Sequence, residues 1–358
     1  MQYITPPENR NRTVRDSNLE LLRIASMMLV VLVHYIPTRY SLSPESVRTD
    51  LWTSICEMEL KSLCYVCVNC FVLISGYFGI KWRSKSFSKL IYTIILYSVI
   101  ALFLGKWLSG YDDLPSLPAN MGFAAETFTT RWFIGAYLCL YIIAPVLNAF
   151  IEKLSQKELG RFLLCFYAFS TVFGWFLKSN NFNEGMSELS LLGLYLTGAY
   201  LRKTDLKCFN MSGLSDLAVY FILGFLLVAV NTATYLAGIE KSIYGYLNPV
   251  VILQSIYLFL FFKKLKVGKI GWINLVAASA FSVYLLHHHN MVFPYYIWLC
   301  NWMNVNSPAS LLSMVLVIAG LFVVCMAIDA VAMPLFNRVY GRLSHLVDKR
   351  TELYRQKN

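Results

Sequence analysis

Charge is what this chain has least of. Only 14% of its 358 residues are Asp, Glu, Lys or Arg, and 20 of those residues are acidic. A water-soluble domain carries about 25%, so a solvated globular surface is excluded. No long polar linker divides the chain, so no separate soluble domain is expected. No inverted repeat stands out and carboxylates inside the apolar stretches are few, which argues against a transporter built from paired halves. The apolar run after the N-terminal arm has no small-residue cleavage site, so it is expected to be kept rather than removed as a signal peptide.

Apolar sequence is abundant instead: 57% of the residues are hydrophobic, and the mean hydropathy is +0.54. Stretches long enough to span a bilayer, or nearly so, recur between polar punctuation. About ten are read: 19–37, 62–80, 88–108, 132–151, 160–177, 188–201, 214–236, 246–262, 273–297 and 309–333. The expectation is an all-α, polytopic integral membrane protein made of one unit. It has an N-terminal arm at 1–18, a bundle at 19–333 and a tail at 334–358. The segment 188–201 is short, and Gly193 and Gly198 suit tight packing or a break there.

The net charge of +11 is a matter of topology. Lys and Arg gather in RNRTVR, 81–89, 152–161, 202–207, 263–269 and the tail. The opposite set holds only Arg39, Arg48, Lys61, Lys106, Arg131, Lys178 and Lys241, seven of the 31 cations. The positive-inside rule then places both termini in the cytoplasm. With the surplus so explained, nucleic acid drops out as a partner and membrane lipid remains. The longer outer loops, 37–61 and 109–131, carry Asp50, Glu57, Glu59, Asp112, Asp113 and Glu126, as solvated charges or as contacts to a polar acceptor.

The first apolar run, NLELLRIASMMLVVLVHYI, contains Arg23 and His34 with ten residues between them. On a helix, eleven steps of about 100° return the two side chains to one face, about 16 Å apart along the axis. Ionisable groups at membrane depth are costly and so are functional candidates. The alternative is that Arg23 reaches lipid phosphate while His34 packs on a neighbour.

Other polar residues in the apolar runs have two readings each. Cys64, Cys67 and Cys70 have the spacing of iron–sulfur ligands but no polar loop to fold around a cluster, and cysteine is also a small hydrophobe. His287, His288 and His289 invite a metal, yet neighbours on a helix diverge by about 100°, so no metal site is expected. Ser75 is a candidate acyl-carrying nucleophile without a G-x-S-x-G elbow. Gly76 and Tyr77 read as helix packing and a polar handle, and Asn69 as a hydrogen-bonding link across the bundle. Trp132 and Tyr137 begin a span where aromatic belts are ordinary, or else contact an acceptor sugar, as do Glu126 and Arg131 beside them.

Four segments carry a resemblance. NLELLRIASMMLVVLVHY is similar to the first helix of the membrane acyltransferase-3 family, which has Arg-x10-His there. NCFVLISGYFGIKWR resembles its stretch ending in SGY, RWFIGAYLCLYIIAPVL its aromatic-rich later helix, and ASAFSVYLLHHHN its penultimate helix with Tyr-Leu-x-His. They occur in family order over nearly the whole chain. The resemblance implies transfer of an acyl group, commonly acetyl, from cytoplasmic acyl-CoA to a glycan or another acceptor. It implies His34 in catalysis and Arg23 in handling the donor, and it matches His287 to the family's histidine. One departure stands out: in place of an Arg-x-x-Arg pair after SGY, this chain has Lys81, Arg83, Lys85 and Lys89. These are phosphate contacts without bidentate geometry, or simply a positive-inside flank.

The sequence reading is therefore an integral membrane O-acetyltransferase of the cell (inner) membrane. Acetyl-CoA is a co-substrate and no bound cofactor is expected. Arg23 and the 81–89 cluster meet the donor, and His34 acts on the acceptor hydroxyl of a surface polysaccharide or lipid-linked glycan. His287 and Tyr284 are expected to stabilise the oxyanion. The rival readings are a glycan or lipid-linked-sugar flippase, and a glycosyltransferase using outward carboxylates such as Asp112 and Asp113.

Overall fold

The computed structural model describes residues 16–39, 42–110, 127–128, 131–240, 243–303 and 310–357, and every regular element among them is helical. The chain opens with α1 (Ser17–Arg39), a short α2 (Pro44–Thr49), and a rod broken once into α3 (Leu51–Cys64) and α4 (Cys67–Phe78). Then come α5 (Ser84–Leu108), α6 (Trp132–Lys153) and α7 (Gln156–Phe169), which runs on into a π-wound stretch, Ser170–Phe176. They are followed by α8 (Glu188–Lys203), α9 (Gly213–Leu236) and α10 (Pro249–Lys264). The last part holds α11 (Gly271–Ala278), α12 (Ala280–His287), α13 (Phe293–Trp302) and α14 (Ser310–Lys357).

Local sequence sets where many of these begin. Ser43, Asp50, Ser155, Ser187, Ser212 and Asn248 each turn a side-chain oxygen onto a backbone N–H of the first turn, donors that no helical carbonyl serves. Ser155 and Glu158 do so reciprocally, and Pro249 fills a position where its missing N–H costs nothing.

Among the described residues, seven helices or joined helices are long and apolar enough to cross a membrane: Ser17–Tyr35, Leu51–Phe78, Ser84–Leu108, Trp132–Lys153, Gln156–Phe176, Gly213–Leu236 and Leu312–His345. The chain is thus a polytopic all-α membrane protein. Each of the ten expected segments is helical, but three fall short of a full crossing. α8 and α10 have 16 residues each, about 24 Å of rise against a hydrocarbon core of about 30 Å. Gly271–His287 is interrupted at Ser279. A second difference lies in the expected outer loop at 37–61. Its second half is α3, which buries Ser54, Met58 and Ser62 on one side, so Glu57, Glu59 and Lys61 sit on a helix. The expected tail likewise continues the last helix, through Pro334.

α1 is the helix the others gather around, in contact with α3, α4, α10, α11 and α12. α4 and α8 approach most closely. A Cβ on Gly76 would stand 2.0 Å from the Tyr195 carbonyl oxygen, and one on Gly198 would stand 2.3 Å from that of Leu73. Lipid tails give helices no hydrophobic reason to associate, so backbone proximity at small residues supplies the packing. Cys64, Cys67 and Cys70 are buried, free thiols in this interior. Among the described residues no three His, Cys, Asp or Glu side chains converge as ligands of one metal ion would.

The bundle has two ends that the site needs. The Ser17 amide donates to Gly268 O at 2.8 Å, and Asn18 Nδ2 donates to Lys263 O at 2.9 Å. The start of α1 is thereby fixed beside the close of α10. α10 runs the other way, so the segment 243–248 before it lies at the far end, the end toward which α1 carries His34.

Candidate functional site

α1 offers one stripe to a cavity of about 300 Å³: Arg23, Met27, Val30 and His34, spaced four, three and four residues apart. That spacing is one face of a helix, so the two ionisable groups read from the sequence do share a chamber. Ser75 from α4, Trp132 and Tyr137 from α6, and Tyr284 from α12 face them, together with His288 and Tyr246 from the connecting segments. Most other lining groups are apolar, among them Val68, Phe71, Phe133 and Phe281. A mostly apolar chamber with a few convergent polar groups is the usual form of a small-molecule site.

At the far end of the stripe, His34 Nδ1 lies 3.0 Å from His287 Nε2, and His287 Nδ1 lies 2.7 Å from the Val283 carbonyl oxygen. With both rings neutral, the proton positions have one solution. A carbonyl only accepts, so His287 carries its hydrogen on Nδ1 and accepts at Nε2. His34 must then donate from Nδ1, which leaves its Nε2 with a lone pair. His287 is fully buried, and its single N–H is spent on Val283.

The ring of His34 is also held from one face. His288 stacks on it with centroids 3.9 Å apart and planes 14° from parallel, and Tyr284 lies beside both rings, 5.5 Å from His288 and 6.5 Å from His34. Phe293 meets His34 edge-on at 6.4 Å. This follows from where α12 stops. His287 is its last residue and His288 caps it, and the chain then turns into α13 at Phe293, with Pro294 next. Leaving the helix lets consecutive histidines take different tasks around one partner. His289 faces elsewhere, fully buried, with Nδ1 accepting from the Met291 amide at 3.2 Å. That His288 packs on His34 in particular was not legible from the sequence; the cue was the HHHN run just ahead of Phe-Pro.

At the other end of the stripe Arg23 is ion-paired with Glu20, one turn earlier on α1. Lys81, Arg83, Lys85 and Lys89 are exposed around the start of α5. Lys89 reaches a second cavity of about 250 Å³, together with Ser86, Thr93, Tyr141, Ser282 and Met333. That cavity shares Leu90, Tyr137, Ala278 and Phe281 with the first. The cavity at the basic start of α5 therefore adjoins the chamber below His34.

The remaining candidates divide. Ser75 Oγ donates to Phe71 O at 3.0 Å and lies 3.3 Å from the Tyr137 hydroxyl. Trp132 lines the chamber with Tyr246 at 6.0 Å. Asn69 is fully buried, and its Nδ2 donates to Tyr246 O at 3.1 Å, the cross-bundle link expected of it. Tyr77 packs on Phe259 at 5.3 Å, with the Lys263 ammonium 5.2 Å from its ring centre. Arg131, expected as a loop charge or an acceptor contact, is instead among the most deeply buried side chains. It donates to Leu285 O and to Ser98 Oγ, each at 3.1 Å, and so ties α5, α6 and α12 together. Glu126, Asp112 and Asp113 lie outside the described residues.

No curated protein and no solved structure matches the chain. A family model described as an acyltransferase domain matches residues 16–330, which contain the whole chamber and all four resembling segments. The chain belongs to this acyltransferase family and is a membrane acyltransferase.

Proposed function

We propose that this protein moves an acetyl group from cytoplasmic acetyl-CoA to a hydroxyl of a surface polysaccharide or lipid-linked glycan, in the cell (inner) membrane. The observation that carries the reading is the shared chamber: His34, with Nε2 left as an acceptor, and Arg23 line one cavity, and the cavity beside it reaches Lys89. Both termini and the start of α5 face the cytoplasm, as the distribution of Lys and Arg supports. The donor enters beside Lys89, its phosphates held by Arg23 and the Lys81, Arg83, Lys85 and Lys89 cluster. Arg23 shares its fork between Glu20 and phosphate. The thioester points up the apolar chamber toward His34.

There, His34 Nε2 takes the proton of the acceptor hydroxyl as that oxygen attacks the thioester carbonyl. As the new C–O bond forms, the C–S bond breaks and the proton passes from His34 to the departing thiolate. The Tyr284 and Tyr137 hydroxyls are the donors available to the oxyanion, since Ser75 spends its hydrogen on Phe71 O. His287 has no free N–H for that task. It orients His34, and His288 stacks on it. Trp132 at the chamber wall meets the acceptor.

The test is acetyl transfer from labelled acetyl-CoA in membranes carrying the full chain, with His34→Ala and Arg23→Ala alongside. Transfer or hydrolysis abolished in His34→Ala, with a raised KM for acetyl-CoA in Arg23→Ala, is expected. A folded wild type that neither binds nor turns over acyl-CoA of any length would sink this reading and leave glycan transport to be tested.

A further inference from the structure

A third cavity, of about 210 Å³, opens at the same end of the bundle as His34. Trp175 and Phe176 close the π-wound end of α7 on one side of it; Lys178 and Glu184 come from the following loop, and Tyr244 and Gly245 from the segment before α10. Three features mark it as a built site. Lys178 and Glu184 are ion-paired across it. The loop that brings them there holds three non-glycine residues at left-handed φ, Lys178 at 51°, Asn183 at 42° and Glu184 at 54°. Asparagine adopts this region readily, but Lys178 and Glu184 are strained there, and strain of this kind gathers at binding sites. Trp175 and Phe176 meet edge-to-face at 4.6 Å, and Phe176 is 62% exposed. An aromatic belt would account for the rings but not for a cavity or a strained ion-paired loop beside them.

The cavity also backs onto the catalytic chamber. Tyr244 and Gly245 face the outer cavity while Tyr246 lines the chamber. One length of chain is thus the wall between the two. It is clamped from within by Asn69, which donates to Tyr246 O. From outside it is clamped by the strained loop, where a Cβ on Gly185 would stand 2.6 Å from Leu247 N. Tyr65 packs on both Tyr244 and Tyr246, at 5.5 and 5.4 Å.

We propose that this outer cavity is a saccharide subsite, which holds a sugar ring of the acceptor next to the one being acylated. An aromatic face suits the C–H face of a pyranose, and a paired ammonium and carboxylate offer both donor and acceptor to its hydroxyls. Its position across a single wall from the chamber suits an acceptor longer than one ring. The inference rests on the acyltransferase reading for its purpose, but its binding test does not depend on turnover.

The experiment uses the purified full-length chain and three probes, cellotetraose, chitotetraose and mannotetraose. Saturation-transfer NMR reads binding, and acetyl-CoA hydrolysis is read separately. At least one tetrasaccharide should bind wild type and His34→Ala alike, and bind Trp175→Ala about tenfold more weakly, the cost of truncating one aromatic anchor. Glu184→Gln and Lys178→Met should weaken it as well, and all three variants should keep wild-type acetyl-CoA hydrolysis. Binding unaltered in Trp175→Ala and Glu184→Gln, or no tetrasaccharide bound by a wild type that hydrolyses acetyl-CoA, overturns the subsite and leaves the transferase reading standing. Binding that depends on Trp175 without any acetyl-CoA turnover keeps the subsite and removes the acetyl-transfer reading.

Discussion

Replacing His287 by methionine should slow acyl transfer while leaving donor affinity alone, whereas glutamine at the same position should be tolerated. His287 Nε2 is the acceptor for His34 Nδ1 at 3.0 Å, and its own Nδ1–H is fixed by Val283 O at 2.7 Å. Methionine fills the buried volume but accepts poorly, so the His34 N–H loses its partner and the ring its tautomer. An unsatisfied buried donor costs about 1–3 kcal/mol, which at about 1.36 kcal/mol per tenfold is about 5- to 160-fold in kcat. Glutamine places an amide oxygen near the lost Nε2 and should keep the rate within about fivefold of wild type, the low end of that range. Steady-state kinetics in detergent read the effect, and thermal midpoints verify that both variants are folded. Wild-type kcat in His287→Met, or equal losses in the two variants, would refute the hydrogen-bond reasoning.

Three further outcomes follow from the geometry. Lys89→Ala should raise the KM for acetyl-CoA by about 2- to 5-fold, the worth of one exposed charge contact, and leave transfer from acetyl-pantetheine, which lacks the nucleotide phosphates, unchanged. Arg131→Met removes buried hydrogen bonds to Leu285 O and Ser98 Oγ, each worth about 1.5–3 kcal/mol when the donor is charged. It should therefore lower the thermal midpoint, where an acceptor contact would raise only the acceptor KM. Gly76→Ala and Gly198→Ala force α4 and α8 apart and should each destabilise the bundle by about 1–3 kcal/mol, measured by thermal unfolding in detergent.

The face shared by Arg23 and His34 was legible because it needs only the helical period, and the chamber confirms that placement. The close packing at Gly198 was legible for a similar reason, since glycine in an apolar helix has few other uses. What was not legible depends on where helices stop. His288 on a continuous helix would point about 100° away from His287; only because α12 ends at His287 does it return to lie on His34. Arg131 read as a loop charge because it precedes Trp132 by one residue, and nothing in the sequence shows that Ser98 and Leu285 come to it. Glu57, Glu59 and Lys61 made α3 look like a loop, although its buried side of Ser54, Met58 and Ser62 repeats every four residues.

The end of the histidine chain bears on the order of proton transfers. In a Ser-His-Asp triad the third member is a carboxylate, which stabilises the imidazolium formed in mid-reaction. Here that place is taken by His287, a neutral imidazole backed by the Val283 carbonyl, so neither group carries a net charge, and a chamber lined mostly by apolar side chains solvates an imidazolium poorly. On the proposed mechanism a proton resting on His34 is therefore costly, and it should leave as soon as the thiolate departs and can take it. Removal of the acceptor proton and expulsion of the thiol should thus be linked in one step. The expected signature is a solvent deuterium isotope effect on kcat that persists with acetyl-pantetheine, for which phosphate binding and product release differ. Two protons in flight would give a curved dependence of rate on deuterium fraction. A linear dependence would mean that one proton moves in the limiting step, so that His34 holds its proton as a discrete intermediate and the charge is stabilised by a group other than His287.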